Sequence, residues 1–258
     1  MLQSRAIPCL LLNENGLYKT IRFKNPQYIG DPINAVKIFN EKEVDELMVL
    51  DITATKQKRE PNYELLKNMA SECFMPLAYG GGITNFSQAA KLFEIGIEKI
   101  AINSIATSRP ELITEITKVY GSQSVIVSID TRKNLWGKYG IYIDGGSKNT
   151  GLDLFDYLRK VESIGAGELL ITDIDREGTW SGFNLELLTS ITSSARIPVI
   201  ISGGCGSLKD IVDAVIIGKA SGVAIGSMAV FQKKGMGVLL SFPKSAELEK
   251  ILDKSGSH

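Results

Sequence analysis

Short apolar runs, several of them β-branched, alternate along the whole chain with amphipathic stretches of about 10–13 residues, the rhythm of repeated βα units. The runs fall at 6–11, 46–50, 76–79, 99–102, 124–129, 168–172, 198–201 and 222–225. Several, such as SVIVSI and PVIIS, are apolar without alternation, as expected for a parallel strand covered on both faces. The stretches between them carry helix punctuation. Asp31 and Pro32 suit N-cap and first-turn positions, Asn85 precedes FSQAAKLFEIG, and Ser207 with Asp210 forms a capping box. Gly96, Gly121, Gly165 and Gly218 close four of the helices. Eight βα units are predicted, a count that fits an open doubly wound sheet as well as a closed barrel.

An internal repeat favours the barrel. The stretch beginning PLAYGGGITNFSQAA at Pro76 lies on the stretch beginning PVIISGGCGSLKDI at Pro198 with one inserted residue. Gly81 then meets Gly203, Gly82 meets Gly204, Gly96 meets Gly218, and Ser104 meets Ser227. The offset is close to half the chain, far longer than a solenoid period, and implies two half-barrels of four βα units each. A chain of 258 residues is also near the length of a (β/α)8 TIM barrel. The expectation is one such barrel domain over residues 1–258.

Composition narrows the function classes. Twenty-nine Lys and Arg balance 29 Asp and Glu with no long block of one sign, a poor match to a nucleic-acid partner. No apolar run approaches the length of a membrane span, and MLQSRAIPCLLLNENG is too short in its apolar part for a signal peptide; a cytoplasmic protein is expected. Cys9, Cys73 and Cys205 are far apart and form neither a disulfide framework nor a metal knuckle, and the one histidine, His258, sits in the terminal KSGSH. No metal and no cofactor are expected.

In a β/α barrel the chemistry belongs to the loops leaving the C-terminal ends of the strands. Those positions hold Gly80-Gly81-Gly82, Asn103-Ser104, Ser202-Gly203-Gly204 and Gly226-Ser227. Matched Gly-plus-Ser pairs on adjacent strands of both halves predict two phosphate sites across the mouth, hence a bisphosphorylated small-molecule ligand. Asp51, Asp130, Asp173 and Asp175 reach the same face, with Asp130 placed at the rim by the run before it. Arg5, Glu46, Lys99 and Glu168 begin strands at the opposite end, where periodicity alone reads them as a salt-bridge ring closing the barrel bottom.

Taken together, RAIPCL, GDPINAVKIFNEKEVDELMVLDITA, YGGGI, KIAINSIA, GSQSVIVSID, NTGLD, GAGELLITDIDREGT and IPVIISGG resemble, in order and spacing, the cyclase subunit of imidazole glycerol phosphate synthase over essentially the whole chain. That resemblance implies a two-faced barrel. A glutaminase subunit docks on the N-terminal face, and its ammonia crosses to a bisphosphate at the C-terminal face. It implies that Arg5, Glu46, Lys99 and Glu168 gate the ammonia, that Gly82, Asn103 and Ser104 hold one phosphate, and that Asp175, Gly178, Gly203, Gly204, Gly226 and Ser227 surround the other. Lys19 matches the family's mobile-loop lysine.

The family's ring closure uses an aspartate at the end of strand 1 and another at the end of strand 5. Asp130 matches the second; the first position is Leu11, which can neither give nor take a proton. A retained gate with one carboxylate lost resembles a second-copy branch of the family. In that branch the barrel and its glutaminase supply ammonia to a separate sugar amidotransferase, for amidination of an acetamido sugar in lipopolysaccharide synthesis. The alternative is a working cyclase (lyase) of histidine biosynthesis in which Asp51 or Asp173 replaces the missing acid. A scaffold with neither channel nor catalysis fits the intact charged ring less well.

Overall fold

In the computed structural model, which describes residues 4–243, eight strands close on themselves: β1 (Arg5–Asn13), β2 (Leu47–Asp51), β3 (Leu77–Gly80), β4 (Lys99–Ile102), β5 (Val125–Lys133), β6 (Glu168–Asp173), β7 (Val199–Ser202) and β8 (Gly222–Ile225). Each pairs in parallel with the next, and β8 returns to β1 with Arg5 opposite Gly222 and Pro8 opposite Ile225. The closed hydrogen bonding excludes the open sheet and gives the expected (β/α)8 barrel. The ends of the expected 1–258 span, His258 among them, lie outside the described residues. Among the described residues no helix is long and apolar enough to cross a membrane.

Between the strands run α1 (Pro32–Glu41), α2 (Tyr63–Glu72), α3 (Phe86–Glu94), α4 (Glu111–Tyr120), α5 (Leu154–Ser163), α6 (Leu185–Thr192) and α7 (Leu208–Ile216). Three of their starts carry the expected caps. Asp31 accepts from the Asn34 amide, Asn85 from the Gln88 amide, and Ser207 and Asp210 bond reciprocally. Gly218 follows the end of α7 as expected, its amide donating to the Asp213 carbonyl at 3.0 Å, and it serves a second purpose. A Cβ there would lie 2.3 Å from Leu188 Cδ2, so it also permits the close approach of α6 to the segment leading into β8.

Alternation along each strand sorts side chains between two apolar layers. Outward residues such as Ala6, Leu10, Val49 and Ile129 pack beneath the helices. Inward residues Ile7, Cys9, Met48, Ala78, Ala101, Ile126, Leu170, Ile200 and Ala224 form a separate cluster inside the barrel, none more than 4% exposed. Large Met, Leu and Ile side chains are accommodated there by three alanines. The inward column of β1 therefore reads Arg5, Ile7, Cys9, Leu11 from bottom to mouth.

β1 and β5 run past their expected ends. β1 continues into an antiparallel hairpin with Gly16–Ile21, itself paired with Lys24–Gly30; β5 continues likewise into Tyr139–Ile143 and then Lys148–Asn149. These are the first strands of the two half-barrels, so the internal repeat extends to the rim. Because the inner layer is already filled, Ala101→Leu should lower stability by about 1–3 kcal/mol, visible as a lower urea midpoint at unchanged m-value.

Candidate active site

The C-terminal ends of the strands surround a cavity of about 430 Å³. Lys19, Asp51, Gly81, Gly82, Asn103, Ser104, Asp130, Gly178, Gly203, Gly204, Gly226 and Ser227 all line it, as expected, and so does Leu11. Asp175 does not. Its carboxylate faces Arg132, 3.2 Å away on β5, and its amide donates to Asp173, so the expectation that it sits beside a phosphate is corrected. Sequence reasoning missed Ser128 and Thr172, which with the expected Ser202 continue the inward columns of β5, β6 and β7 and make the upper wall polar. It also missed Phe23 and Glu177, contributed by the β1 hairpin and the β6 loop. The alternation of SVIVSID and ITD contains the signal for Ser128 and Thr172.

Asp130 is buried on β5, and the Asn103 amide group donates to its Oδ2 at 3.2 Å and to the Ser128 carbonyl at 3.0 Å. Burial pushes its carboxyl up to about 7, against the opposing hydrogen bonds of Asn103 and Thr172. It can therefore exchange a proton near neutral pH, which an exposed aspartate does poorly. Cys9, deeper on β1, has its thiol pushed up to about 11 by burial and is no nucleophile.

The two glycine turns are built alike. A Cβ at Gly81 would lie 2.6 Å from the Asp51 carbonyl oxygen, and one at Gly203 would lie 2.6 Å from that of Asp173; both residues have φ near or above +90°. Asp51 and Asp173 are matching braces. Asp51 Oδ1 accepts from the Thr53 and Ala54 amides while Arg59 holds Oδ2 at 2.7 Å. Asp173 accepts from the Asp175 amide and at 2.6 Å from Asn184. Neither is free to replace a missing acid. On the first side some ligand-facing groups already have partners: Gly82 N–H donates to Thr55 Oγ1 and Ser104 Oγ accepts from the Asp144 amide. The register carries the repeat further, since Leu12 pairs with Asp51 as Thr131 pairs with Asp173. Leu11 and Asp130 thus occupy equivalent seats on opposite sides of the mouth.

Arg5, Glu46, Lys99 and Glu168 meet at the opposite end. Arg5 bonds Glu46 at 2.7 Å and Glu168 at 3.1 Å, and Lys99 bonds the same two oxygens at 3.0 and 3.2 Å. The second oxygen of each glutamate, Glu46 Oε1 and Glu168 Oε2, is buried without a hydrogen-bond partner among the described residues.

Fold and geometry define a two-faced (β/α)8 barrel, a charged ring at one end and an anion-suited mouth with a titratable carboxyl at the other. A family model described as histidine biosynthesis protein matches residues 5–234. The chain belongs to that family, among the HisF-like cyclase subunits of imidazole glycerol phosphate synthase. It is 45% identical over 249 residues to a Pseudomonas aeruginosa protein provisionally named imidazole glycerol phosphate synthase subunit hisF2, covering 96% of this chain and 99% of that one. A Leptospira borgpetersenii protein, provisionally named subunit HisF of the same synthase, is 45% identical over 252 residues, 97% of this chain and 99% of its own. The Alkaliphilus metalliredigens imidazole glycerol phosphate synthase subunit HisF is 37% identical over 228 residues, 88% and 90% of the two chains.

The raised Asp130 sets a stability prediction. Between about pH 4 and 7 the folded chain keeps this proton while the unfolded chain has released it, so the native state loses stability as pH rises through that window. Asp130→Asn removes the penalty. The variant should exceed the wild type by roughly 2–4 kcal/mol at pH 8 and by little at pH 4, measured by urea unfolding at both.

Proposed function

We propose that this chain is the ammonia-receiving barrel of a glutaminase–barrel pair, with the glutaminase subunit docked on the N-terminal face. The observation that carries the reading is the charged ring at the foot of an apolar interior that ends in the cavity around Asp130. Ammonia is small and neutral, so an apolar interior does not penalise it as it would an ion. The unpartnered oxygens of Glu46 and Glu168 can accept its hydrogens at the entrance. Lys99→Ala should leave the fold standing, because Arg5 still bonds both glutamates, yet uncouple the pair. In a reconstituted system the glutamine consumed per product formed should rise well above one, while ammonium salt still supports product formation. A ratio that stays near one would return the ring to plain structural closure.

For the acceptor, the comparisons support ring closure of a bisphosphate precursor better than sugar amidination, since the relatives carry the synthase's name. The glycine turns suit the two phosphates, and Asp130 supplies one proton-transferring group. Leu11 favours the second reading, in which the ammonia passes to a sugar amidotransferase acting on an acetamido sugar of lipopolysaccharide. At Leu11 an alkyl group occupies the seat opposite Asp130, and the nearby Asp51 and Asp173 are bound as braces. Losing a positioned acid–base group costs about 10²–10⁴-fold, so with excess ammonium the wild type should turn over the cyclase precursor at least about 10²-fold more slowly than an authentic cyclase, with Leu11→Asp regaining part of the rate. A wild-type rate within about tenfold of the authentic enzyme decides for ring closure.

A further inference from the structure

The hairpin that continues β1 turns at Arg22 and Phe23, whose φ angles are 54° and 62°. A two-residue turn with both φ positive is ordinarily made by Asn-Gly, and side chains of this size are strained in it. Something else must hold the turn. Glu177, buried on the β6 loop, meets it at three points: Oε2 accepts the Phe23 amide at 3.0 Å, Oε1 accepts the Thr20 hydroxyl at 3.0 Å, and its carbonyl accepts the Arg22 amide at 2.9 Å. Gly178, the next residue, leaves room for this contact, since a Cβ there would lie 2.3 Å from the Thr20 carbonyl oxygen.

What the latch positions is Lys19, one residue before Thr20. Lys19 is 6% exposed and makes no hydrogen bond or ion pair among the described residues. Its ammonium reaches the end of the neighbouring strand β8, where a Cβ on Gly226 would lie 2.4 Å from Nζ. An ammonium on a side chain this little exposed, open to the cavity, without a partner among the described residues and next to the Gly226-Ser227 turn, is a group set out for an anion.

We propose that Glu177 is a positioning residue: by fastening the strained Arg22-Phe23 turn it holds the Lys19 ammonium over Gly226 and Ser227, where Lys19 meets a phosphate group of the ligand. The proposal holds whichever acceptor takes the ammonia. It also makes a prediction of unusual sign. Glu177 carries a negative charge near the anion site, so by simple electrostatics its removal should tighten anion binding. A latch predicts the reverse.

The test follows inorganic phosphate binding to the full chain at the Ser227 amide by NMR, with amide exchange of residues 16–30 read in parallel. Glu177→Ala should weaken phosphate by about tenfold, Lys19→Ala by a similar factor, and the double variant no further than Lys19→Ala alone. Exchange across 16–30 should quicken in Glu177→Ala and stay slow in Lys19→Ala. Binding that is unchanged or tighter in Glu177→Ala, additive losses in the double variant, or no response of the wild-type Ser227 amide to phosphate would each overturn the proposal. Should Glu177→Ala fail to fold, Thr20→Val removes one donor and keeps the carboxylate. It should weaken phosphate about threefold, and unaltered binding in it would equally count against the latch.

Discussion

Closure of eight parallel strands dictates where every kind of chemistry in this molecule can stand. Once β8 bonds back to β1, each strand has an inside and an outside, and inward residues of neighbouring strands fall into levels. Paired charges close the bottom level, small and large apolar groups share the middle, and polar and ionisable groups crown the top. The middle level matters most. It separates the ion-paired ring around Glu46 from the buried carboxyl of Asp130.

Much of this was legible in the sequence because it is local or periodic. Caps such as Ser207 with Asp210 are written within four residues, and the strand runs announce themselves by apolar density. The repeat, visible as Gly81 over Gly203, located the mouth before any coordinates did. What was not legible is long-range. Asp175 sits in a motif that invites a ligand role, yet its partner, Arg132, lies 43 residues away in the chain. Glu177 and Thr20 are 157 residues apart, and only the closed barrel brings them together. The β1 and β5 hairpins escaped notice for a different reason. Asn15-Gly16 and Asp144-Gly145 are hairpin signals that stood in the sequence, but the polar residues around them read as loops, and the Arg22-Phe23 turn carries no such signal.

The braces at Asp51 and Asp173 show how a shared position acquires a structural duty. Both stand at the end of a strand facing the mouth, and both spend their oxygens on backbone amide donors and on a side-chain donor, Arg59 or Asn184. Their carbonyl oxygens then set the floor on which Gly81 and Gly203 rest. A carboxylate fully engaged in this way keeps a turn in place but has little left to offer a reacting molecule.

The equivalence of Leu11 and Asp130 reaches beyond the loss of one acid. A mouth with true twofold likeness would accept a two-ended molecule in either of two senses and could not tell its head from its tail. With an alkyl group in one seat and a titratable carboxyl in the other, the two senses differ in energy. The barrel therefore has a polarity across its mouth as well as along its axis, and a ligand that enters it is given a direction.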